Sequence, residues 1–513
     1  MAQSKAPPVT HDTIPASPRL AILREQGLEL TSDGQYVRWS RSNQRHPRNW
    51  SKARKAYDTG LIIWVDVFTT AVNSAGAAAA SKARHEYGIS TTMSVFVFVT
   101  LTSYLLGQGL GGVIFPPYSE TFGRKKLYIV STGLYSIFCV MIAVVPSLAG
   151  IVIGRFITGV LSGIPTTITA GSIEDLFNAK DRIWFIFLWA MISNVGLALG
   201  PIMSAYIIAG LGWRWVFYIA AIVLAATTCC LFALRESRPS LLLSREVAMI
   251  RESAALHDLQ ALNPDFTPDL SAFVRMALFR PARLFFTEPI ICLVAVISAV
   301  AAAIVYLFTV ALPTVYERFG FSAESASLPF LAIGLGLILS VFTRILDDRI
   351  VARLQRQGRR LTPEDKLLGF TIGAPALACG LWWFAWTIPP HVPNLPWIVP
   401  TLALIFIGYA LNEFDTVLVG YVADSYLSYA ASGFAAVALL RSILSATFPL
   451  FAPRMFERLS ANVAMSILAA LGTGFCIVPK LFTQYGERIR AKSKFAAYSL
   501  QVYEENGVDE SGY

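Results

Sequence analysis

Residues 288–312 read EPIICLVAVISAVAAAIVYLFTVAL, and the one charged side chain stands at the first position. An α-helix rises about 1.5 Å per residue, so this stretch is long enough to cross the roughly 30 Å of hydrocarbon in a bilayer. Few helices of soluble proteins are apolar on every face over such a length. The stretch therefore predicts a membrane-spanning helix.

The composition extends this prediction to the whole chain. Of the 513 residues, 55% are hydrophobic and 15% are charged, whereas soluble domains average about 25% charged residues. With a mean hydropathy of +0.55, the chain is predicted to be an all-α membrane protein. A window of about 20 residues finds twelve apolar spans. They are 57–79, 92–115, 127–146, 148–171, 183–208, 213–235, 288–312, 327–346, 367–388, 396–420, 429–453 and 461–482.

Lysine and arginine are distributed unevenly between the alternate connections. Most of the 42 lie in segments on the same side as the N-terminus, and cytoplasmic connections carry the excess of these residues. Both termini are therefore predicted to be cytoplasmic. The plasma membrane is the expected location, with the vacuolar membrane as the alternative. The net charge of +9 is explained by cationic loops facing an anionic leaflet, so no nucleic-acid partner is predicted.

The histidines and cysteines argue against several kinds of membrane enzyme. All the histidines lie in polar connections, which disfavours haem ligation and histidine-dependent catalysis within the spans. The cysteines lie in apolar runs and are interpreted as small core residues. The sequence therefore predicts no metal, no cofactor and no enzymatic activity. These residues are His11, His46, His85, His257, His391, Cys139, Cys229, Cys230, Cys292, Cys379 and Cys476.

The longest connection divides the spans into two groups of six. Each group has a basic connection after its second span, at 123–126 in the first and 347–360 in the second. This repetition predicts two pseudo-symmetric six-helix bundles facing a central cavity, which suits alternating access. The predicted divisions are a cytoplasmic tail at 1–55, a bundle at 56–235, a cytoplasmic loop at 236–287, a bundle at 288–482 and a cytoplasmic tail at 483–513.

Five charged side chains, Asp66, Arg155, Glu413, Asp415 and Arg441, lie at membrane depth away from the ends of the predicted spans, where each costs roughly 2.5–3.5 kcal/mol unless it is paired or hydrated. A buried carboxylate near an arginine can change its protonation when access switches, so all five are candidates for proton coupling. Asp66 could pair with Arg155, and Glu413 or Asp415 with Arg441. Of the three carboxylates, we favour Asp66 as the proton site because it lies nearer the middle of its span than Glu413 and Asp415 do. Ion pairs that only hold the helices together are the alternative interpretation.

Polar and aromatic side chains at a similar depth are candidates for contact with a substrate in the cavity. Asn73 lies on the face of the first span that carries its carboxylate. Tyr306, Tyr409 and Asn412 are the other candidates, and packing against neighbouring helices is the alternative for each. The run Gly107–Gly112 follows no predicted strand, so it predicts close helix packing rather than a nucleotide site.

The connection after the second span reads Ser119-Glu-Thr-Phe-Gly-Arg-Lys-Lys126. It resembles the signature loop of the major facilitator superfamily, Gly-x-x-x-Asp-x-x-Gly-Arg-Lys. Pro116 replaces the leading glycine, and Glu120 replaces the aspartate while keeping its charge. The resemblance implies a charge cluster at a cytoplasmic gate. Its members would be Glu120, Gly123, Arg124, Lys125 and Asp175.

Two sequences inside the spans also resemble motifs of this superfamily. Arg155-Phe-Ile-Thr-Gly159 is similar to the motif of the fourth span, with Thr158 where glutamine is frequent. Gly196-Leu-Ala-Leu-Gly200-Pro201 is similar to the antiporter motif of the fifth span, although Ser204 and Ala205 replace its closing glycines. The resemblance implies that Gly196, Gly200 and Pro201 allow close helix packing.

Further matches are similar to the fungal twelve-span drug:proton antiporters, in the branch that includes polyamine and multidrug exporters. They are Trp213-Arg-Trp-Val-Phe217, Arg280-Pro281 with Glu288-Pro289, Pro363-Glu-Asp-Lys-Leu367, and Tyr421-Val-Ala-Asp424-Ser-Tyr426 followed by Arg441 and Phe448-Pro449.

The expected function is therefore export of small amphiphilic organic compounds, such as drugs, toxins or a secondary metabolite, by proton antiport and alternating access. The expected partners are the substrate, protons and the lipid bilayer, and the protein is expected to be a monomer. Polyamine export is the alternative within the family. A nutrient sensor of the same fold that signals without transport is a further alternative, which the short tails disfavour.

Overall fold

The chain folds into two bundles of long helices, with a small three-stranded sheet outside them. This computed structural model describes residues 16–31, 36–98, 104–254, 259–261, 279–359, 361–389, 392, 395–426, 430–493 and 495–496.

The elements follow the predicted spans in order. The first half contains α1 (Ala16–Glu25), β1 (Leu28–Leu30), β2 (Tyr36–Trp39), α2 (Lys52–Tyr87), α3 (Thr91–Phe98), α4 (Tyr104–Phe122), α5 (Lys125–Val144), α6 (Leu148–Leu176), α7 (Ala179–Leu211) and α8 (Arg214–Leu231). The loop and second half contain α9 (Pro239–Ala254), β3 (Gln260–Ala261), α10 (Arg280–Thr287), α11 (Pro289–Glu317), α12 (Phe330–Arg356), α13 (Leu368–Thr387), α14 (Ile398–Glu413), α15 (Val419–Tyr426), α16 (Ala430–Leu459), α17 (Ala461–Phe475) and α18 (Val478–Lys492). A π-helix, Phe414–Leu418, joins α14 to α15.

Eleven helical segments of the described residues are long and apolar enough to cross a membrane. The remaining predicted span, 92–115, is divided between α3 and α4, and residues 99–103 lie outside the described part of the chain. The predicted fold class, an all-α membrane protein of two bundles, is confirmed.

The helix ends differ from the predicted span ends because helical backbone continues beyond the apolar residues. The Ser51 hydroxyl accepts a hydrogen bond from the backbone N–H of Arg54 (3.3 Å) and so caps the start of α2. At its other end Gly88 adopts the left-handed conformation (φ +61°), which ends the helix eight residues past the predicted end at residue 79. In the same way, the helical structure of the last span continues through α18, past residue 482, to Lys492.

Each bundle is held by pairs of helices that are distant in sequence. In the first bundle α2 packs on α7, α4 on α6 and α5 on α8; in the second, α11 packs on α16, α12 on α14 and α13 on α17. The two bundles meet where α4 contacts α16, α7 contacts α12 and α2 contacts α11. These three interfaces enclose the centre of the molecule.

The glycine run of the second span lies against α6, as the packing interpretation predicted. A Cβ atom on Gly107 would meet the backbone of Phe156 and lie 2.9 Å from the nitrogen of Val160. On α6, a Cβ atom on Gly159 would collide with the backbone oxygen of Tyr104. The two backbones therefore approach as closely as small residues permit.

The predicted polar tail and loop contain strands that their composition did not indicate. β1 pairs antiparallel with β2, and β2 pairs parallel with β3, so the tail and the central loop share one sheet. Their side chains form a buried apolar cluster, which we call the tail–loop cluster. Its members are Leu23, Leu28, Val37, Leu243, Val247, Ile250 and Leu259.

Polar contacts also join the tail to α9. The indole N–H of Trp39 donates to the backbone oxygen of Pro239 (3.1 Å), and Arg45 pairs with Glu246 (2.5 Å). Burial and the charges of Arg48 and Lys55 lower the pKa of His46 to about 4. The neutral His46 ring accepts a hydrogen bond from the backbone N–H of Arg48 (3.1 Å), which caps the turn before α2.

Candidate functional site

A small cavity lies between the two bundles. Aliphatic side chains form most of its wall, and the polar groups that line it come from α7, the π-helix and α16. The lining residues are Asn194, Leu197, Ala198, Ala302, Val305, Ile333, Leu337, Leu411, Asp415 and Arg441.

The polar part of the cavity wall is a hydrogen-bonded ion pair. Arg441 donates to Asp415 at 2.6 Å, and the side-chain amide of Asn194 donates to the other Asp415 oxygen at 3.0 Å. Asp415 lies in the π-helix, and such irregular turns recur at functional sites because they redirect side chains. Of the pairings considered for Arg441, the structure contains the one with Asp415. The bond from Asn194 also joins the first bundle to the second.

Asp66 is buried, with 1% of its surface exposed, and it accepts three hydrogen bonds from side chains of the first bundle. The donors are Thr166 on α6 (3.0 Å), and Trp189 (2.8 Å) and Ser193 (2.5 Å) on α7. The suggested pairing of Asp66 with Arg155 is therefore wrong. Neutral donors surround the carboxylate because α6 and α7 both pack on α2.

Arg155 is fully buried and faces a different part of the first bundle. Its guanidinium donates to the backbone oxygens of Phe98 (2.7 Å) and Asn73 (3.4 Å). It also lies over the Tyr104 ring, 4.7 Å from the ring centre. These contacts hold α6 to its neighbours by backbone hydrogen bonds and a cation–π interaction. The proton-coupling role predicted for Arg155 stays a prediction.

Glu413 and Asp415 project in different directions, although only one residue separates them. Glu413 is almost fully buried inside the second bundle, against Gly369 and Gly373 of α13. A Cβ atom on Gly373 would lie 3.1 Å from the Glu413 side chain. Of these two carboxylates, Asp415 is therefore the one that lines the cavity.

The structure places the four predicted substrate contacts around the cavity rather than on its lining. The amide of Asn73 donates to the Tyr306 hydroxyl (2.7 Å), which links α2 to α11 across the two bundles. Tyr409 bonds to Thr343 (2.6 Å), and Asn412 donates to Ser340 (2.8 Å), both between α12 and α14. In this conformation, each of these polar groups serves helix packing.

The antiporter-motif residues position α7 against α2. A Cβ atom on Gly196 would lie 2.6 Å from the backbone oxygen of Val67, and one on Gly200 would collide with Ala71 and Ser74. Pro201 continues the same helix without breaking it. This close approach brings the indole of Trp189 and the hydroxyl of Ser193 within hydrogen-bond distance of the carboxylate on α2.

The predicted gate residues lie together at one end of the first bundle, where α4, α5 and α6 begin or end. The guanidinium of Arg124 pairs with Asp175 at 2.7 Å, and Arg238 pairs with Asp175 at 3.4 Å. The Glu236 carboxylate accepts hydrogen bonds from the backbone N–H groups of Arg124 (3.0 Å) and Lys125 (3.1 Å). We call Arg124, Asp175, Glu236 and Arg238 the N-terminal inner cluster.

Two further residues of the predicted gate complete this region. Gly123 precedes α5 at φ +94°, and a Cβ atom there would lie 2.6 Å from a Glu236 oxygen. Glu120 is half-buried in the last turn of α4. The negative charge of Glu236 at the first turn of α5 complements the positive end of that helix.

A second set of charges occupies the corresponding place in the second bundle. Lys366 pairs with Asp424 at 2.7 Å, and Arg490 pairs with Glu364 at 2.9 Å. The Tyr421 hydroxyl donates to Glu364 at 3.0 Å. We call Glu364, Lys366, Asp424 and Arg490 the C-terminal inner cluster. The basic connection predicted at 347–360 is helical as far as Arg356, so the pairing residues lie after it.

Sequence reasoning missed the neutral residues that bind the two central carboxylates. Ser193 and Asn194 are adjacent polar residues near the middle of the predicted span 183–208, and this signal could have identified them. Thr166 and Trp189 carry no comparable signal, because threonine and tryptophan are ordinary in spans. Glu236 follows the sixth span directly, and its partner groups are backbone N–H groups that no side-chain pattern reveals.

Comparisons with known proteins agree with this architecture. A family model described as "Major Facilitator Superfamily" matches residues 63–449. The solved proton:xylose symporter XylE bound to 6-bromo-6-deoxy-D-glucose has a TM-score of 0.58 at 19% identity, covering 83% of this chain and 96% of that one. A partially occluded inward-open structure of XylE from E. coli has a TM-score of 0.56 at 17% identity, covering 83% and 99%. At these identities, the structures show a shared fold.

Curated fungal proteins are more similar in sequence. The efflux pump FUBT of Fusarium oxysporum is 31% identical over 85% of this chain and 73% of its own. The MFS-type transporter penM of Penicillium rubens is 30% identical, covering 91% and 92%. The multidrug transporter TPO1_1 of Candida glabrata is 29% identical, covering 97% and 85%. With the family model covering most of the chain and two bundles enclosing a central cavity, the protein belongs to the major facilitator superfamily.

Proposed function

We propose that this chain is a secondary active exporter that moves small lipophilic organic compounds across a fungal membrane in exchange for protons. The observation that carries the proposal is the aliphatic cavity between the bundles, with the Asp415–Arg441 pair in its wall. Relatives named as efflux pumps and multidrug transporters support the direction of transport. The plasma membrane and a monomeric state are part of the proposal.

The cavity wall favours a lipophilic cargo. In this conformation the free volume of the cavity is about 10 Å³, far below the roughly 300–1,000 Å³ that small-molecule sites occupy, so the bundles must move apart to admit cargo. Leu197, Val305, Ile333 and Leu411 offer apolar surface, and burying such surface is the main source of affinity in pockets of this kind.

The same wall argues against polyamine export, the second candidate within the family. A polycation needs carboxylates that are free to pair with it. Asp415 is the carboxylate among the described lining residues, and Arg441 and Asn194 already donate to it. Binding a polyamine would require breaking this ion pair.

The proton site in this proposal is Asp66. Asp66 lies near the middle of its span. It accepts a hydrogen bond from Ser193 of α7, and α7 also lines the cavity. Asp66 would release its proton towards the cytoplasm before cargo binds, and would take up a proton from the outer side after cargo leaves. Access alternates because the two bundles change their relative position around the cavity.

Two experiments test the function. Expression in a pump-deficient fungal strain, challenged with a panel of toxic compounds, should raise resistance to lipophilic members of the panel. A sensor without transport activity would give no resistance and no flux. In proteoliposomes, a pH gradient should drive transport of the compounds identified by the panel.

The Asp66→Asn variant tests the proton site. It keeps the side-chain volume and removes the titration, so pH-gradient-driven transport should fall to background while exchange of cargo down its own gradient persists. Glu86→Gln is the matched control, because Glu86 lies near the outer end of the same helix and pairs with Arg214. Proton-driven transport that survives in Asp66→Asn would move the role to Glu413 or Asp415.

A further inference from the structure

Two adjacent side chains on α7 contact the central carboxylates of the two bundles. The Ser193 hydroxyl donates to Asp66 at 2.5 Å, within the first bundle. The next residue, Asn194, donates to Asp415 of the second bundle at 3.0 Å. One peptide unit therefore separates the contact with the proposed proton site from a contact that joins the bundles.

We propose that Ser193 and Asn194 are positioning residues that couple the protonation of Asp66 to the separation of the two bundles. This proposal rests on the proposed function, because it takes Asp66 as the proton site. It adds the physical connection between that site and the cavity.

The donor set around Asp66 gives the reason. A carboxylate offers about four acceptor sites, two on each oxygen, and here Trp189 and Ser193 both donate to Oδ2 while Thr166 donates to Oδ1. A proton bound to Oδ2 takes one of that oxygen's two sites, so Oδ2 no longer accepts from both Trp189 and Ser193. The Trp189 indole can only donate, whereas the Ser193 hydroxyl can rotate or accept instead. Protonation therefore changes the Ser193 contact most readily.

A change at Ser193 reaches the second bundle through Asn194. The Asn194 amide lines the cavity and is hydrogen-bonded to Asp415, which Arg441 also binds. Loss of the Asn194–Asp415 bond removes one of the contacts between the bundles near the cavity. Cargo in the cavity lies against the same amide. Cargo therefore acts on Asn194 and the proton acts on Ser193, two adjacent residues of α7.

Several groups face Asp66 and bear on any pH dependence. Arg441 of α16 and Tyr128 of α5 interact with it electrostatically. α6 and α7 present Thr166, Trp189 and Ser193, whose side chains do not titrate near neutral pH. A response between pH 5 and 8 that disappears in Asp66→Asn is therefore assigned to Asp66.

The test measures the distance between the bundles as a function of pH, without cargo. Spin labels at Lys126→Cys and Arg356→Cys, in a background lacking the native cysteines, report on the exposed cytoplasmic ends of α5 and α12. In the otherwise unaltered protein, the ratio of the two distance populations should change at least fivefold between pH 8 and pH 5, the lower end of typical coupling strengths.

Three variants locate the connection. Ser193→Ala removes the hydrogen bond to Asp66 and keeps the Asn194–Asp415 bond between the bundles. The distance populations at pH 8 should therefore match those of the parent, and their change with pH should fall below twofold. Asn194→Leu removes the hydrogen bond to Asp415. It should also reduce the change of the distance populations with pH, and the bundles should be further apart at every pH. Thr166→Val is the matched control, because it removes another Asp66 donor and should keep at least a fivefold response.

The outcomes separate the two proposals. If Asp66→Asn leaves the pH response intact, Asp66 is not the proton site and the proposed function loses its coupling residue. If Asp66→Asn abolishes the response while Ser193→Ala retains it, the proton site stands and the coupling through α7 is overturned. Because Ser193→Ala preserves the bond between the bundles, it decides the matter even if Asn194→Leu fails to fold.

Discussion

The two inner clusters occupy equivalent places in the two bundles but differ in burial. In each bundle, a basic residue after the second span pairs with an aspartate just after the fourth span. The side chains of Arg124 and Asp175 are each 5% exposed, whereas those of Lys366 and Asp424 are 40% and 33% exposed. The two bundles therefore share the position of this ion pair, but the buried pair of the first bundle is expected to contribute more to stability.

Burial decides the difference because water screens exposed charges. Removing one partner of a buried ion pair costs about 3–5 kcal/mol, since the other charge is left uncompensated. An exposed pair contributes about 0–1 kcal/mol. The N-terminal inner cluster also contains Glu236 and Arg238, which directly precede α9, the helix that packs in the tail–loop cluster. Three predictions test whether this asymmetry controls the gate.

The largest effect is expected for Arg124→Ala. It leaves Asp175 buried with only the longer contact to Arg238, so the closed arrangement of the gate loses much of its stabilisation. Export should fall more than tenfold, while expression and cargo binding stay within about twofold, because Arg124 biases a conformational equilibrium and does not line the cavity. Transport rates and cargo affinity of the purified protein check this. Export at the parent rate would show that this cluster is not the gate.

The sequence predicted two members of this cluster, Arg124 and Asp175, and missed the other two. Motif resemblance indicated Arg124 and Asp175 because such residues recur at fixed positions of the signature loop and fourth span. Glu236 and Arg238 were missed because they lie in the loop after the sixth span, and Glu236 binds backbone N–H groups that no side-chain pattern reveals. The strands that fix this loop are two to four residues long, too short for a periodic signal.

At the central site, too, the sequence identified the charged residues, whereas their hydrogen-bond partners depend on tertiary packing. Asp66, Asp415 and Arg441 stood out because each is a charge in an apolar span. Their true partners depend on which helices touch, and a single sequence gives no contact between α2 and α7. The pairing of Asp66 with Arg155 failed for this reason: both lie at membrane depth, but they face different neighbours.

An intermediate effect is expected from opening the tail–loop cluster. Leu243→Asp places a charge among Leu23, Val37 and Val247, so the sheet should separate from α9 and loosen Glu236 against α5. Export should fall about two- to fivefold, and protease cleavage of the central loop should accelerate at least fivefold, because local stability controls cleavage.

Met249→Asp is the matched control for this change. Met249 lies on the same helix but is 53% exposed, so cleavage and export should stay within about twofold of the parent. Equal acceleration in both variants would mean that the charge, and not the cluster, is responsible. Unchanged cleavage in Leu243→Asp would show that the tail does not hold the loop.

The smallest effect is expected for Lys366→Ala, the counterpart of the Arg124 change. Water can solvate Asp424 once its partner is removed, and the neighbouring Glu364–Arg490 pair with its Tyr421 hydrogen bond stays in place. Export should therefore change less than twofold, and a double-mutant cycle with Asp424→Asn should give a coupling energy below about 1 kcal/mol. The same cycle for Arg124→Ala and Asp175→Asn should give a coupling several times larger. If the two cycles gave equal couplings, burial would not explain how the repeated contact came to weigh differently in the two bundles, and the gate would have to be treated as symmetric.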